Sequence, residues 1–181
     1  MVIESKSGEL NLELSPDESL EVTYMKDVQV DDSTKSYQID GHKITIDLKQ
    51  FDQGRRKVNF QFMANKKMNF TVDNTNIVIK IPKNIQTVTV RTVSGDVKID
   101  SLSLKELNVV SVSGNLRLED SKIEKIDHIS VSGDFDINGT VDNVKSKTVS
   151  GDLEFNLKNT SPQVEFESTR SEEHTSELQS R

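Results

Sequence analysis

The chain has 181 residues, a net charge of −7 and only 33% apolar residues, with no cysteine. Absence of cysteine excludes disulfides, zinc–thiolate sites and cysteine nucleophiles, and the acidic balance argues against nucleic acid and anionic lipid as partners. No apolar run approaches the ~18 residues of a membrane-spanning helix, and MVIESKSGEL has neither the basic nor the apolar region of a signal peptide.

Nearly every segment alternates apolar and polar residues, the period of a half-buried strand. In chain order the predicted strands are 9–14, 19–25, 35–40, 43–48, 57–63, 68–73, 76–81 and 87–93. Asp40-Gly41-His42 reads as a tight hairpin. Pro16 and Pro82 fall at strand ends, where a missing N–H does least harm. No window carries a helical stripe, so the fold class is all-β.

From residue 83 a stricter order begins. VSGDVKID, VSGNLRLE, VSGDFDIN and VSGDLEFN repeat, with Gly95, Gly114, Gly133 and Gly151 spaced by 19, 19 and 18 residues. Apolar residues stand two after each glycine (Val97, Leu116, Phe135, Leu153), four after (Ile99, Leu118, Ile137, Phe155) and two before (Val93, Val112, Val131, Val149). The pairs Leu104/Leu107, Ile123/Ile126 and Val141/Val144 are three apart. That spacing places a bend between them, with both flanks pointing inward. The reading is a single-stranded parallel β-solenoid of about 19 residues per coil, each burying its inward row against the next. Ser94-Gly95, Ser113-Gly114, Ser132-Gly133 and Ser150-Gly151 are its structural turn residues, and Gly8 marks an earlier coil of the same kind. Residues 1–82 are read as an irregular β-rich N-terminal part and 83–169 as regular coils. Hexapeptide helices fail the spacing test. A leucine-rich repeat fails at Val112 and His128.

These V-S-G-[DN] repeats after the I-P-K lead-in resemble the bacterial adhesin-type β-strand-repeat family, also called the toast-rack-like domain of unknown function. The resemblance covers residues 76–157 best. It implies a short parallel solenoid, an association with envelope stress or the cell surface, and no established catalytic residue. Residues 170–180 resemble an in-frame translation of a sequencing adapter. The natural chain is therefore expected to run past about Thr169, leaving the coil at 153–157 open and prone to end-to-end association.

The corner acids Asp96, Asp134 and Asp152, with Asn115 between them, are candidate calcium ligands, since stacked carboxylates repel and oxygen ligands suit calcium. The calcium-roll signature G-G-x-G-x-D is absent, and the plainer reading has each acid capping its own turn. The serine row lacks a recurring base and reads as structural. His42 and His128 read as solvated or half-buried. Arg117 should meet Asp136 on the next coil. The basic group Arg55, Arg56, Lys57, Lys66 and Lys67, interleaved with Phe60, Phe62 and Phe70, has the composition of a single-strand nucleic-acid site, but the phenylalanine spacing reads as core. With no Trp and no distinct acid pair, a carbohydrate-active solenoid enzyme is disfavoured. The expectation is a non-catalytic scaffold or binding surface without cofactor, engaging a protein or cell-surface component. Alternatives are a cytoplasmic or membrane-tethered stress-response accessory protein that binds a partner protein and a calcium-dependent adhesin.

Overall fold

The computed structural model describes residues 1–5, 8–16, 19–25, 37–40, 43–47, 56–61, 67–72, 76–159 and 161–169. They are all-β, as the alternation requires, and contain no helix. The strands are β1 (Val2–Ser5), β2 (Leu10–Leu14), β3 (Ser19–Met25), β4 (Tyr37–Asp40), β5 (Lys43–Asp47), β6 (Arg56–Gln61), β7 (Lys67–Val72) and β8 (Asn76–Ile81). The regular stack adds β9 (Thr87–Ser94), β10 (Val97–Asp100), β11 (Ser103–Ser113), β12 (Leu116–Ser132), β13 (Phe135–Ser150), β14 (Leu153–Leu157) and β15 (Gln163–Ser168).

The strands stack as a parallel β-solenoid. Segments preceding each S-G-[DN] corner form a first wall in the order β5, β7, β1, β9, β11, β12, β13, β15. Segments following the corner form a second wall: β8, β2, β10, then the starts of β12 and β13, then β14. Two hairpin-like pairings close the far end. Strand β3 runs antiparallel between β8 and β6, and β4 pairs antiparallel with β5, Asp40 opposite Lys43.

The winding does not follow chain order throughout. The N-terminal coil, β1 and β2, lies between the coil of β7 and β8 and the coil of β9 and β10. Pro82–Gln86, the I-P-K lead-in, is the crossover that carries the chain past that coil. It leaves β8 on one side of β2 and delivers β10 to the other. Met1 is fixed there, its amino group donating to the Thr87 carbonyl at 2.9 Å.

Parallel register makes the inward positions continuous columns. Ile77, Leu10, Val97, Leu116, Phe135 and Leu153 stand over one another. So do Ile79, Leu12, Ile99, Leu118, Ile137 and Phe155. The three-apart pairs Leu104/Leu107, Ile123/Ile126 and Val141/Val144 are all buried, so the bend between them does turn both flanks inward. Each buried aliphatic side chain contributes about 1.5–3 kcal/mol, and no single coil could bury its row alone.

The valines two before each glycine do not join these inward columns. Val93, Val112, Val131 and Val149 point outward and are about half exposed, with Val131 at 50%. The alternation along β9 explains it. Val88 and Val90 face inward, so Thr92 also faces inward and Val93 outward. The inward partners of the valines are hydroxyls: Ser5, Thr92, Ser111, Ser130 and Thr148 form a buried column.

Candidate functional site

The corner is set first by backbone contact. Gly133 has φ +121°, and a Cβ there would lie 2.2 Å from the Gly114 carbonyl oxygen. Neither its conformation nor its space admits a side chain. Gly114 stands in the same relation to Gly95, and Gly95 to Gly8, so the glycines form a column that includes the N-terminal coil.

The residue after each glycine builds a second ladder. Asp96 Oδ1 accepts from the Asn115 amide at 2.8 Å, Asn115 Oδ1 from the Asp134 amide at 2.9 Å, and Asp134 Oδ1 from the Asp152 amide at 3.0 Å. Asn76 Oδ1 likewise accepts from the Glu9 amide at 3.0 Å. Each side chain therefore caps the next coil and not its own turn. The reason is geometric: the rung amide points toward the coil beneath, and a short Asx side chain there supplies its acceptor. Backbone bonds run the other way, Leu116 N–H to Asp134 C=O and Phe135 N–H to Asp152 C=O, both at 2.9 Å. Asn115 also separates the charges of Asp96 and Asp134, which lowers the repulsion along the row. Among the described residues, no group of three or more His, Asp or Glu is gathered to hold a metal ion.

The inward hydroxyls brace the same corner. Ser111, Ser130 and Thr148 donate to the carbonyls of Ser113, Ser132 and Ser150 at 3.2, 3.0 and 3.0 Å. The turn serines Ser113 and Ser132 make long contacts to the Val93 and Val112 carbonyls at 3.4 and 3.5 Å. Every hydroxyl so engaged faces backbone oxygen, a structural arrangement with no base beside it.

His128 is neither solvated nor half-buried. It is 3% exposed, in the inward column that runs Ile3, Val90, Val109, His128, Ser146. Its Nδ1 lies 2.9 Å from Ser146 Oγ, and its ring centroid lies 4.4 Å from that of Phe135. Burial lowers its pKa to about 4, so at neutral pH it is an uncharged core residue. The sequence signal was available: His128 is two after Ile126, in phase with the inward row.

Outward rows carry ion pairs between neighbouring coils. Arg117 meets Asp136 at 3.2 Å, as the register requires, Lys98 meets Glu119 at 3.0 Å and Lys145 meets Glu165 at 2.8 Å. Exposed pairs of this kind stabilise little and mainly keep the face soluble. The exception is the first wall's outer face, where Val93, Val112, Val131 and Val149 lie beside Val110 and Ile129. Arg91 and Lys147 stand in register with Val110 and Ile129 and bound this row at either side.

Only three members of the basic group, Arg56, Lys57 and Lys67, fall on described residues. Arg56 and Lys57 lie in β6, which pairs antiparallel with β3, and Lys67 lies in β7, which pairs with β5 and β1. His42, Arg55, Phe62, Lys66 and residues 170–181 lie outside the described residues. Phe60 stands opposite Leu20, and Phe70 opposite Ile3, in the strand register. Among the described residues no helix is long and apolar enough to cross a membrane.

The stacked corners recur from Gly8 to Gly151, and the family model for Toastrack DUF4097 matches residues 1–170. The chain belongs to the Toastrack family. That match takes in the N-terminal coil as well as the S-G-[DN] repeats and ends where the adapter-like run begins. No curated protein and no solved structure matches the chain. The Toastrack fold explains why its most regular residues are turn-formers: they hold coil to coil.

Proposed function

We propose that this Toastrack chain is a rigid, non-catalytic scaffold of the bacterial cell envelope, adhesin-like or associated with envelope stress. The observation that carries the scaffold reading is the unbroken register of the inward columns from Ile79 to Phe155. Such a stack holds outward rows at ~4.8 Å intervals with little freedom. The envelope assignment rests on the family resemblance. Fractionation of the bacterial host with an antiserum to the chain tests it: recovery with the envelope is expected, and recovery in the cytosol alone would contradict it.

The outward valine stripe favours a second reading, an accessory module that binds a partner protein. Changing Val112 and Val131 together to Asp should leave the fold intact and abolish recovery of a cross-linked partner. Equal recovery from the variant would dismiss that reading.

A further inference from the structure

The described surface balances its cations by pairing them. Lys80, Arg91, Lys98 and Arg117 each meet a carboxylate, and so do Lys125, Lys145, Lys147 and Lys158. Among the lysines and arginines whose side chains are described, Lys83, Lys105 and Lys122 make no ion pair. All three are exposed, and all three line one groove of about 260 Å³ at the loose corner of the solenoid. On a chain of net charge −7 carboxylates are plentiful, yet these ammonium groups are left together.

The crossover builds the groove. The Ile85 amide donates to the Pro82 carbonyl at 3.0 Å, closing a tight turn with Lys83 at its second position. The Lys105 and Glu106 amides donate to the Gln86 carbonyl at 2.8 and 3.1 Å, which ties the end of the crossover to β11. Lys122 follows on the next coil, in register with Ser103. The three lysines therefore come from three segments that the backbone holds in place. Leu14 and the buried Leu104 also line the groove, and apolar surface beneath a charge strengthens its interactions. Glu124 holds the bend position that matches Lys105 on the coil above, lines the same groove and pairs with none of the lysines.

We propose that this groove binds a phosphate group, as a phosphate monoester or a diphosphate. Ammonium donors reaching in from three segments suit the tetrahedral oxygens of phosphate better than the planar pair of a carboxylate, and lysine serves phosphate as a point charge. The Ser103 hydroxyl, also on the groove, supplies one more donor. Glu124 opposes the ligand and holds the affinity down. The phosphate belongs either to a soluble molecule or to a lipid headgroup, and its chemistry is the same in both. The site is made by coils within the stack and does not rest on the scaffold reading.

Calorimetric titration of the full chain with inorganic diphosphate at low ionic strength tests it. Saturable binding with a dissociation constant below about 1 mM is expected. Lys83→Gln, Lys105→Gln and Lys122→Gln should each weaken it by about fivefold or more, and Glu124→Gln should tighten it by a similar factor. Lys98→Gln, at a paired lysine outside the groove, should leave it within about twofold. These positions lie on the surface, so the circular dichroism spectrum should not change. Citrate, a tricarboxylate, should bind more weakly than diphosphate. Sedimentation with phosphatidylcholine vesicles, with and without phosphatidic acid, separates the two sources. Capture by phosphatidic acid that is lost in Lys105→Gln supports the site with a lipid headgroup, and diphosphate binding without capture supports it with a soluble ligand. Three results would overturn the proposal: neither saturation by diphosphate nor capture by vesicles, an equal loss in Lys98→Gln and the groove variants, or citrate binding as tightly as diphosphate.

Discussion

The two walls of the solenoid are built from the same alternation and differ in what it hides. The second wall is conventional. Ile79, Leu12, Ile99, Leu118, Ile137 and Phe155 face inward, and Lys98, Arg117, Asp136 and Glu154 face outward. Beside the corner the first wall is reversed. Its inward column nearest the corner is hydroxyl, Ser5, Thr92, Ser111, Ser130 and Thr148, and Val93, Val112, Val131 and Val149 face outward. Column position, more than hydropathy, decides what each first-wall residue does: the inward hydroxyls of Ser111, Ser130 and Thr148 brace the turn beside them, and an outward valine suits a strand without needing burial.

The contrast can be broken by substitution. Leu118→Ala on the second wall should cost about 4 kcal/mol, the transfer loss plus a cavity in a fully buried column. Urea unfolding measures it, and a loss below 1 kcal/mol would mean that the column is not closed. On the first wall the vulnerable group is His128. Its folded pKa of about 4 lies below the ordinary 6.5, so the unfolded chain binds the proton more tightly. Its contribution is full above pH 6.5 and is lost as pH falls through 4, up to about 3 kcal/mol in total. His128→Val, matching Val109 in the same column, should flatten stability across that window. An unchanged pH profile would show that His128 is accessible to water.

Smaller effects sharpen the picture. Asp134→Ala removes the acceptor for the Asp152 amide and should cost about 1 kcal/mol, while Asp134→Asn, which copies Asn115, should cost nothing. Equal losses in both would mean that the carboxylate charge, not the ladder, matters. Val131→Thr, on the outer face, should change stability by less than about 0.5 kcal/mol. A core-sized loss would return that valine to the interior.

Much of the architecture was legible because the tight corner repeats as V-S-G followed by Asp or Asn. Gly95, Gly114, Gly133 and Gly151 occur at coil spacing for a reason visible in the backbone, where each leaves no room for a Cβ. Three features were not legible. The direction of the valines was left open because composition alone cannot phase a strand that ends at a turn. Counting from Val88 and Val90 phases it. The acid ladder was misassigned because a turn motif does not reveal which coil supplies the amide. Intercalation of residues 1–14 is a long-range choice. Gly8 identified a coil, but its neighbours are fixed by packing between segments 87 residues apart.

That intercalation tests the account most directly. Asn11 lies in register between Val78 and Lys98. The chain has no native cysteine, so engineered pairs report cleanly. Asn11→Cys with Lys98→Cys should oxidise readily to an intramolecular disulfide. Val78→Cys with Lys98→Cys should not, because its Cα atoms stand two rungs apart, about 9.6 Å, beyond disulfide reach. Winding in simple chain order would put β8 against β10 and give the opposite pattern, which would contradict the fold described.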